Sequence, residues 1–486
     1  MAGFIDPAKT PSIMNCSDTE YVGWFNTRPY RKLLPHDATA QDCTGKGDEP
    51  RHKTVQEMMS NTPAQDREGL CRALRHETGK DIMEKREILF SPPDISQAEI
   101  DEVTAALKSG WITTGPRTKQ LEQELKVFTG ADGFACLNSA TAALECGLRA
   151  LGIGPGDEVI VCAYTYTASI SPIIHLGATP ILCDTQADSF EMDYDALGAL
   201  INEHTKAIIP VDLGGHLVNY DRLFEIVRAH AACWTPNTDI QRCFDRVIIF
   251  ADSAHALGST QHGKPAGSIA DFTSFSFHAV KNFTTAEGGG LAWRSHGFDN
   301  DAFYHDIMLQ SLHGQSKDAL SKNKIGAWEY DIEFPGWKCN MTDVLAALGL
   351  AQFKRYPSLL ARRRELIEHY ERNLADLDVI TIPHYHGDNC SSGHLMMVHI
   401  KGIDEQTRNE IIVQMATDGV ATNVHYKPVP LFTGYQKLGF SIDNYPQAYK
   451  MYASEITLPL HTLLTDDDVD YVTDSLKRAL AAAGSR

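Results

Sequence analysis

Three groups of residues, far apart along the chain, carry side chains that could do chemistry together. Lys281 follows a run, residues 271–277, in which polar and aromatic side chains alternate as in a buried or half-buried strand. It lies in the segment Ser276-Phe277-His278-Ala279-Val280-Lys281-Asn282, which leads through Thr284-Thr285-Ala286-Glu287 to Gly288-Gly289-Gly290. Such glycines let the backbone turn sharply or pass close to a ligand. A lysine just past a strand end stands where α/β proteins hold their ligands, although a lone loop lysine is ordinarily solvated. The apolar run 246–250 delivers the second group, Asp252-Ser253-Ala254-His255; there Asp252 could equally cap a helix. The third is Asn138-Ser139-Ala140-Thr141, between a short strand at 133–137 and a helix with Leu144, Leu148 and Leu151 on one face. Free N–H groups and hydroxyls at a helix start bind phosphate, and many helices begin the same way without a ligand.

An amine, a carboxylate and an anion cradle are what pyridoxal 5′-phosphate requires at once. The lysine forms a Schiff base, the acid keeps the pyridine nitrogen protonated so that the ring draws electrons, and the cradle anchors the phosphate. Tyr166 could offer its ring face to a flat cofactor, or simply pack in the core.

The elements that must position these groups alternate in type. Residues 157–162, 179–184 and 206–211 read as further strands, the last ending in Asp212-Leu213-Gly214-Gly215, and helical stretches separate them. This rhythm predicts an α/β fold with a mostly parallel sheet flanked by helices. Ser96-Gln97-Ala98-Glu99 is a capping box, with Ile100, Val103 and Leu107 marking one helix face. A polar segment at 233–242 reads as a surface insertion. A long helical stretch past Asp343, interrupted at Pro357 and resuming over 362–377, leads to a smaller domain with a strand at 396–400, a helix at 404–418 and a last helix from Asp466. The expected division is a partly ordered extension at 1–85, a large domain at 86–345, linking helices at 346–378 and a small α+β domain at 379–486. Met83 precedes the well-patterned part and offers an alternative translation start.

Composition narrows the function class. A net charge of −19 argues against a general nucleic-acid binder, which would show a basic face. Eleven cysteines without a C-x-x-C pair suit a reduced, cytoplasmic protein better than a disulfide framework. There is neither an apolar run of membrane-spanning length nor the pattern of a signal peptide, and no metal-ligand spacing is visible.

From about Ile88 onward the sequence closely resembles the DegT/StrS family of pyridoxal phosphate-dependent nucleotide-sugar aminotransferases, of aminotransferase fold type I. The resemblance rests on the blocks Ser-Gly-Trp-Ile-Thr-Thr-Gly-Pro at 109–116, Ser139-Ala140-Thr141-Ala142-Ala143, Gly156-Asp157-Glu158-Val159-Ile160, Asp252-Ser253-Ala254-His255-Ala256, Ser276-Phe277-His278-Ala279-Val280-Lys281 and Asn340-Met341-Thr342-Asp343, in that order. It implies that Lys281 is the Schiff-base lysine and proton carrier, Asp252 the partner of the pyridine nitrogen, and His255 a neighbour of the ring hydroxyl. Tyr166 takes the place of the stacking aromatic. Ser139, Ala140, Thr141 and Ser276 fall on the phosphate site, helped by Asn340 from the neighbouring subunit, which implies a homodimer with active sites at its interface. Thr113, Thr114, His425 and Tyr426 fall on segments that approach the sugar nucleotide. The expected reaction moves an amino group from an amino acid, glutamate on family grounds, to a keto-sugar nucleotide for amino-sugar and polysaccharide biosynthesis. The stretch 284–289 resembles the branch acting at C4. A C3 aminotransferase on a dTDP-keto sugar and a non-catalytic regulatory binder of the cofactor are the alternatives. Some relatives replace the lysine with histidine and become dehydratases; Lys281 is present here.

Overall fold

A computed structural model of the protein describes residues 86–316 and 329–484. The extension at 1–85 lies outside the described residues. Seven strands build the central sheet: β1 (Gly133–Leu137), β2 (Glu158–Cys162), β3 (Thr179–Cys183), β4 (Thr205–Ile209), β5 (Ile248–Asp252), β6 (Phe272–Ser276) and β7 (Gly289–Trp293). Their order is β1-β7-β6-β5-β4-β2-β3. Strands β3, β2, β4, β5 and β6 are mutually parallel, and β7 runs antiparallel between β6 and β1. Such a sheet is buried on both faces, so its strands read as continuous apolar runs; every residue of Ile248–Asp252 is buried.

The glycine run is where the reading of the sequence differs most from the structure. Gly289 and Gly290 begin a strand, and neither has a positive φ. Close approach, not a turn, explains them. A Cβ at Gly290 would meet the Phe134 ring at 2.4 Å, and one at Gly289 would lie 2.2 Å from the Ser139 carbonyl carbon.

Helix α1 (Gln97–Lys108) starts at the expected capping box but faces the other way. Ile100 and Leu107 are 52% and 55% exposed, while Glu99 and Ala106 are buried. Glu99 decides this orientation, because its carboxylate accepts hydrogen bonds from the Ser96 N–H and also from Gln352 and Arg355. Helix α2 (Pro116–Thr129) precedes β1, and α3 (Ala140–Ala150) follows it. Helix α4 (Asp343–Leu374) is one continuous element of 32 residues with Pro357 inside it, so the expected interruption is absent. A proline costs one backbone hydrogen bond, and packing of the adjoining Tyr356 and Leu359 holds the helix together across it.

The first half of α4 packs into the core around the large sheet, and its second half, with Leu366, Ile367 and Tyr370, into another. That second core covers a three-stranded antiparallel sheet of β8 (Val379–Thr381), β9 (Met396–Ile400) and β10 (Glu455–Leu458), in that order. Helices Glu405–Thr417 and Asp466–Gly484 complete it. The 233–242 segment is anchored rather than loose. Gln241, fully buried, donates to the Leu151 carbonyl, and Asn237 donates to Asp157.

One buried ion pair sets the entry to β6. Both terminal nitrogens of Arg246 donate to the Asp271 carboxylate at 2.8 Å. Burial alone would push the Asp271 carboxyl up, but the Arg246 and His296 contacts outweigh it and hold it at about 2. Arg246→Ala removes the bidentate cation, leaves that carboxylate with only His296 and the Ile249 N–H, and should cost about 3–5 kcal/mol of stability. Urea unfolding at neutral pH measures this, and a loss below about 1 kcal/mol would contradict it. Because the folded-state pKa is depressed, the contribution is present above the ordinary carboxylate range and fades as the pH falls towards 2.

Candidate active site

A cavity of about 360 Å³ opens at the carboxyl ends of β4, β5 and β6, where open parallel sheets place their ligands. Lys281, Asp252, His255, Ser139, Ala140, Thr141, Tyr166, Ser276 and Tyr426 all line it. Thus the amine and the carboxylate meet the anion cradle, which lies more than a hundred residues before either of them, around one space.

Asp252 is the last residue of β5. Its Oδ2 accepts from the Ser169 hydroxyl at 2.6 Å and its Oδ1 from the Ala254 N–H at 3.2 Å. Burial pushes its carboxyl up against these contacts and the nearby charge of Lys281. Burial also pushes the Lys281 amine down to about 8, the Asp252 charge working in the opposite sense. Each group therefore senses the other across the cavity.

Ser139 caps α3, its hydroxyl accepting from the Ala142 N–H at 3.1 Å. The N–H groups of Ala140 and Thr141, at the first two positions of the helix, have no intrahelical acceptor. Gly289 sits opposite Leu137 on one side and Ser276 on the other. The two halves of the cradle therefore close around a residue with no side chain. Gly289→Ala should force them apart, lowering cofactor affinity at least about tenfold and stability by about 1–3 kcal/mol. Cofactor titration with thermal unfolding would measure both effects, and unchanged affinity would count against this role.

The His255 Nδ1 accepts from the Gly214 N–H at 3.1 Å, so Nε2 carries the proton and donates to the Tyr426 oxygen at 3.0 Å. That leaves the Tyr426 hydroxyl hydrogen free for a ligand. Burial, reinforced by Lys281 and His425, holds His255 neutral. The Tyr166 ring is 53% exposed and lies 5.7 Å from that of Tyr426.

His425, Thr113, Thr114 and Asn340 do not line the cavity. His425 stacks on Phe90 at 5.7 Å, and its Nδ1 donates to Thr457, whose hydroxyl donates to the buried Glu455. Burial, then the Lys281 charge, pushes His425 down to about 3. The Thr114 hydroxyl donates to the Met341 carbonyl and accepts from Asn340, and the exposed Thr113 accepts at its carbonyl from the Asp343 N–H. Thr113, Thr114 and Asn340 form one connected patch beside the cradle, tied to it where Asn340 bridges Leu137, whereas His425 belongs to a separate network.

The structure also brings in residues that the sequence left unassigned. Asp212, His278, Glu287 and Gly288 line the cavity, and Ser169 stands behind Asp252. The strand-end rule that selected Asp252 also points to Asp212, whereas nothing local marks Ser169. Asp212 is pushed up to about 7 by burial while accepting from Ser253, Tyr220 and the Val218 N–H.

A family model, the DegT/DnrJ/EryC1/StrS aminotransferase family, matches residues 93–477. The chain belongs to this family. The aminotransferase is 36% identical over 401 residues to the spore coat polysaccharide biosynthesis protein SpsC of Bacillus subtilis, covering 81% of this chain and 97% of SpsC. Among solved structures it is similar to Spr1654 of Streptococcus pneumoniae, assigned as a sugar aminotransferase. In the PLP form the identity is 52% and the TM-score 0.79, over 82% of this chain and all of that one. It is also similar to Helicobacter pylori PseC, an aminotransferase of pseudoaminic acid biosynthesis, at 28% identity and TM-score 0.71, over 82% of this chain and all of PseC. The fold is that of the fold type I transferases.

The cavity of this aminotransferase fits pyridoxal phosphate. Unpaired helix-start amides stand at one end, a buried carboxyl with no full cationic partner at its floor, and an amine of lowered basicity on its wall. Among the described residues no group of His, Cys, Asp and Glu could hold a metal ion, and no helix is long and apolar enough to cross a membrane.

Proposed function

We propose that this aminotransferase uses pyridoxal 5′-phosphate to move an amino group from an amino acid, L-glutamate, to C4 of a keto-sugar nucleotide, supplying an amino sugar for polysaccharide biosynthesis. The observation that carries the reading is the convergence of Lys281, Asp252 and the 139–141 cradle on one cavity. When bound, the cofactor supplies an electron sink that lets an amino group and a proton be exchanged between donor and acceptor.

The remaining chemistry belongs to the chain. Ser139, Ala140, Thr141 and Ser276 bind the phosphate. Asp252, held by Ser169, keeps its negative charge opposite the ring nitrogen. Neutral His255, its tautomer fixed by Gly214, orients the Tyr426 hydroxyl, and Tyr166 covers the ring. Lys281 holds the cofactor by its amine and, once released, takes the proton from the donor's Cα. Thr114 is bonded to Asn340, and Thr113 to Asp343 on the same segment, so the three act together on the partner's site in a homodimer. Tyr426 approaches the sugar from the cavity lining, and His425, outside that lining, supports it by packing edge-on against its ring at 4.8 Å.

The names of SpsC and PseC support the sugar substrate, and the resemblance of the 284–289 stretch supports C4 over C3. A screen of 4-keto and 3-keto sugar nucleotides with glutamate, locating the aminated carbon by NMR, tests this. Amination at C3 would install the alternative, and no turnover with any keto sugar would favour a regulatory binder.

The amine must be neutral to capture the cofactor. With Lys281 at about 8, capture by the cofactor-free protein should rise with pH through about 8 and level off above it. An ordinary lysine would give a midpoint near 10.4. Stopped-flow absorbance against pH measures this, and a midpoint above about 9.5 would refute it.

A further inference from the structure

A second cavity, about 200 Å³, lies against α3 and shares Ser139 and Thr141 with the first. Cys146 and Cys339 both line it, with their sulfurs 3.8 Å apart. Cys162 and Cys183 also stand as register partners on β2 and β3, but both are buried and neither lines this cavity. The proposed transfer uses neither Cys146 nor Cys339. Their separation is set by backbone: the Cys339 carbonyl accepts from the Asn138 N–H at 2.8 Å, and its N–H donates to the Ser311 carbonyl at 2.9 Å. One residue further on, Asn340 bridges Leu137 at the end of β1.

We infer that Cys146 and Cys339 form a reversible redox pair, a modification site whose disulfide ties the helix carrying the phosphate cradle to the segment carrying Asn340. The sulfurs need to close from 3.8 Å to about 2 Å. Cys146 is buried and Cys339 half-buried, so Cys339 is the one that an oxidant in the cavity meets. The Cys146 S–H aimed at the Cys339 sulfur is the main influence holding the Cys339 thiol below its usual value, outweighing burial and Glu145, with some help from Lys338.

With a peroxide as oxidant, the Cys339 thiolate attacks one peroxide oxygen. The O–O bond breaks, hydroxide leaves, and a sulfenic acid forms. The Cys146 sulfur then displaces the sulfenic hydroxyl, and its own proton leaves with that group as water. Two thiols and one hydrogen peroxide thus give one disulfide and two waters. A dithiol reverses the change by exchange.

The test treats the purified full chain with increasing hydrogen peroxide and maps its peptides without reduction. The expected result is a linked Cys146–Cys339 peptide that disappears on treatment with dithiothreitol. In Cys339→Ser, Cys146 should remain a free thiol at the same dose. If Cys339→Ser does not fold, Cys146→Ala serves: Cys339 should then accumulate as a sulfenic acid that dimedone labels, and no labelling would overturn the inference. The inference is overturned if both sulfurs remain alkylatable at a dose that oxidises the exposed Cys390. It is equally overturned if Cys339 pairs with a different cysteine.

Discussion

Replacing Lys281 with alanine is expected to lower amino transfer by at least about 10⁴-fold, because one side chain both holds the cofactor and moves the proton. The substitution should leave the fold intact, since the lysine reaches into an open cavity and not into packed core. The variant should unfold at nearly the wild-type temperature. Borohydride should fix the cofactor to Lys281 in the wild type and to nothing in the variant. Residual activity above about 1% of wild type would show that another group carries the proton, and the proposed roles would have to be reassigned.

Asp252→Asn should have the next largest effect, lowering kcat on the order of 10²–10³-fold while the cofactor still binds. Asparagine keeps the shape of the side chain: its one amide oxygen can accept from the Ala254 N–H while its NH2 donates to the Ser169 hydroxyl, so folding is preserved. It cannot hold a negative charge against the ring nitrogen, and the electron sink weakens. A second readout separates this from misfolding. The Asp252 charge raises the Lys281 pKa, so its removal should shift the midpoint of cofactor capture to lower pH. An unchanged midpoint with full kcat would mean that Asp252 plays no electrostatic part.

Much of this arrangement was legible from strand ends. Lys281, Asp252 and Ser139 each follow a short apolar or alternating run, and in a parallel sheet such positions share one edge. What escaped the sequence has physical causes. A strand opening with two glycines contradicts strand preference, and only the approach of Ser139 and Phe134 explains β7. Helix α1 turned its apolar positions outward because a buried carboxylate, a residue type read as exposed, fixed its face. Pro357 read as a break because propensity is local while the packing that overrides it is not. Ser169 reaches Asp252 across 83 positions, and His394, whose ring lies 4.4 Å from that of His255, is likewise remote in sequence. Neither belongs to a local pattern.

Strand β7 has a consequence for how such a site could diversify. With one strand inserted between β1 and β6, the helix-start amides and the lysine loop are held two ladder spacings apart, about 10 Å. Main-chain geometry, not side-chain choice, maintains that gauge, so point substitutions can scarcely lengthen or shorten it. Evolution or engineering towards new acceptors is therefore channelled to the rim, where His278 and Glu287 can change without touching the frame, and the anchoring half stays common to whatever is aminated.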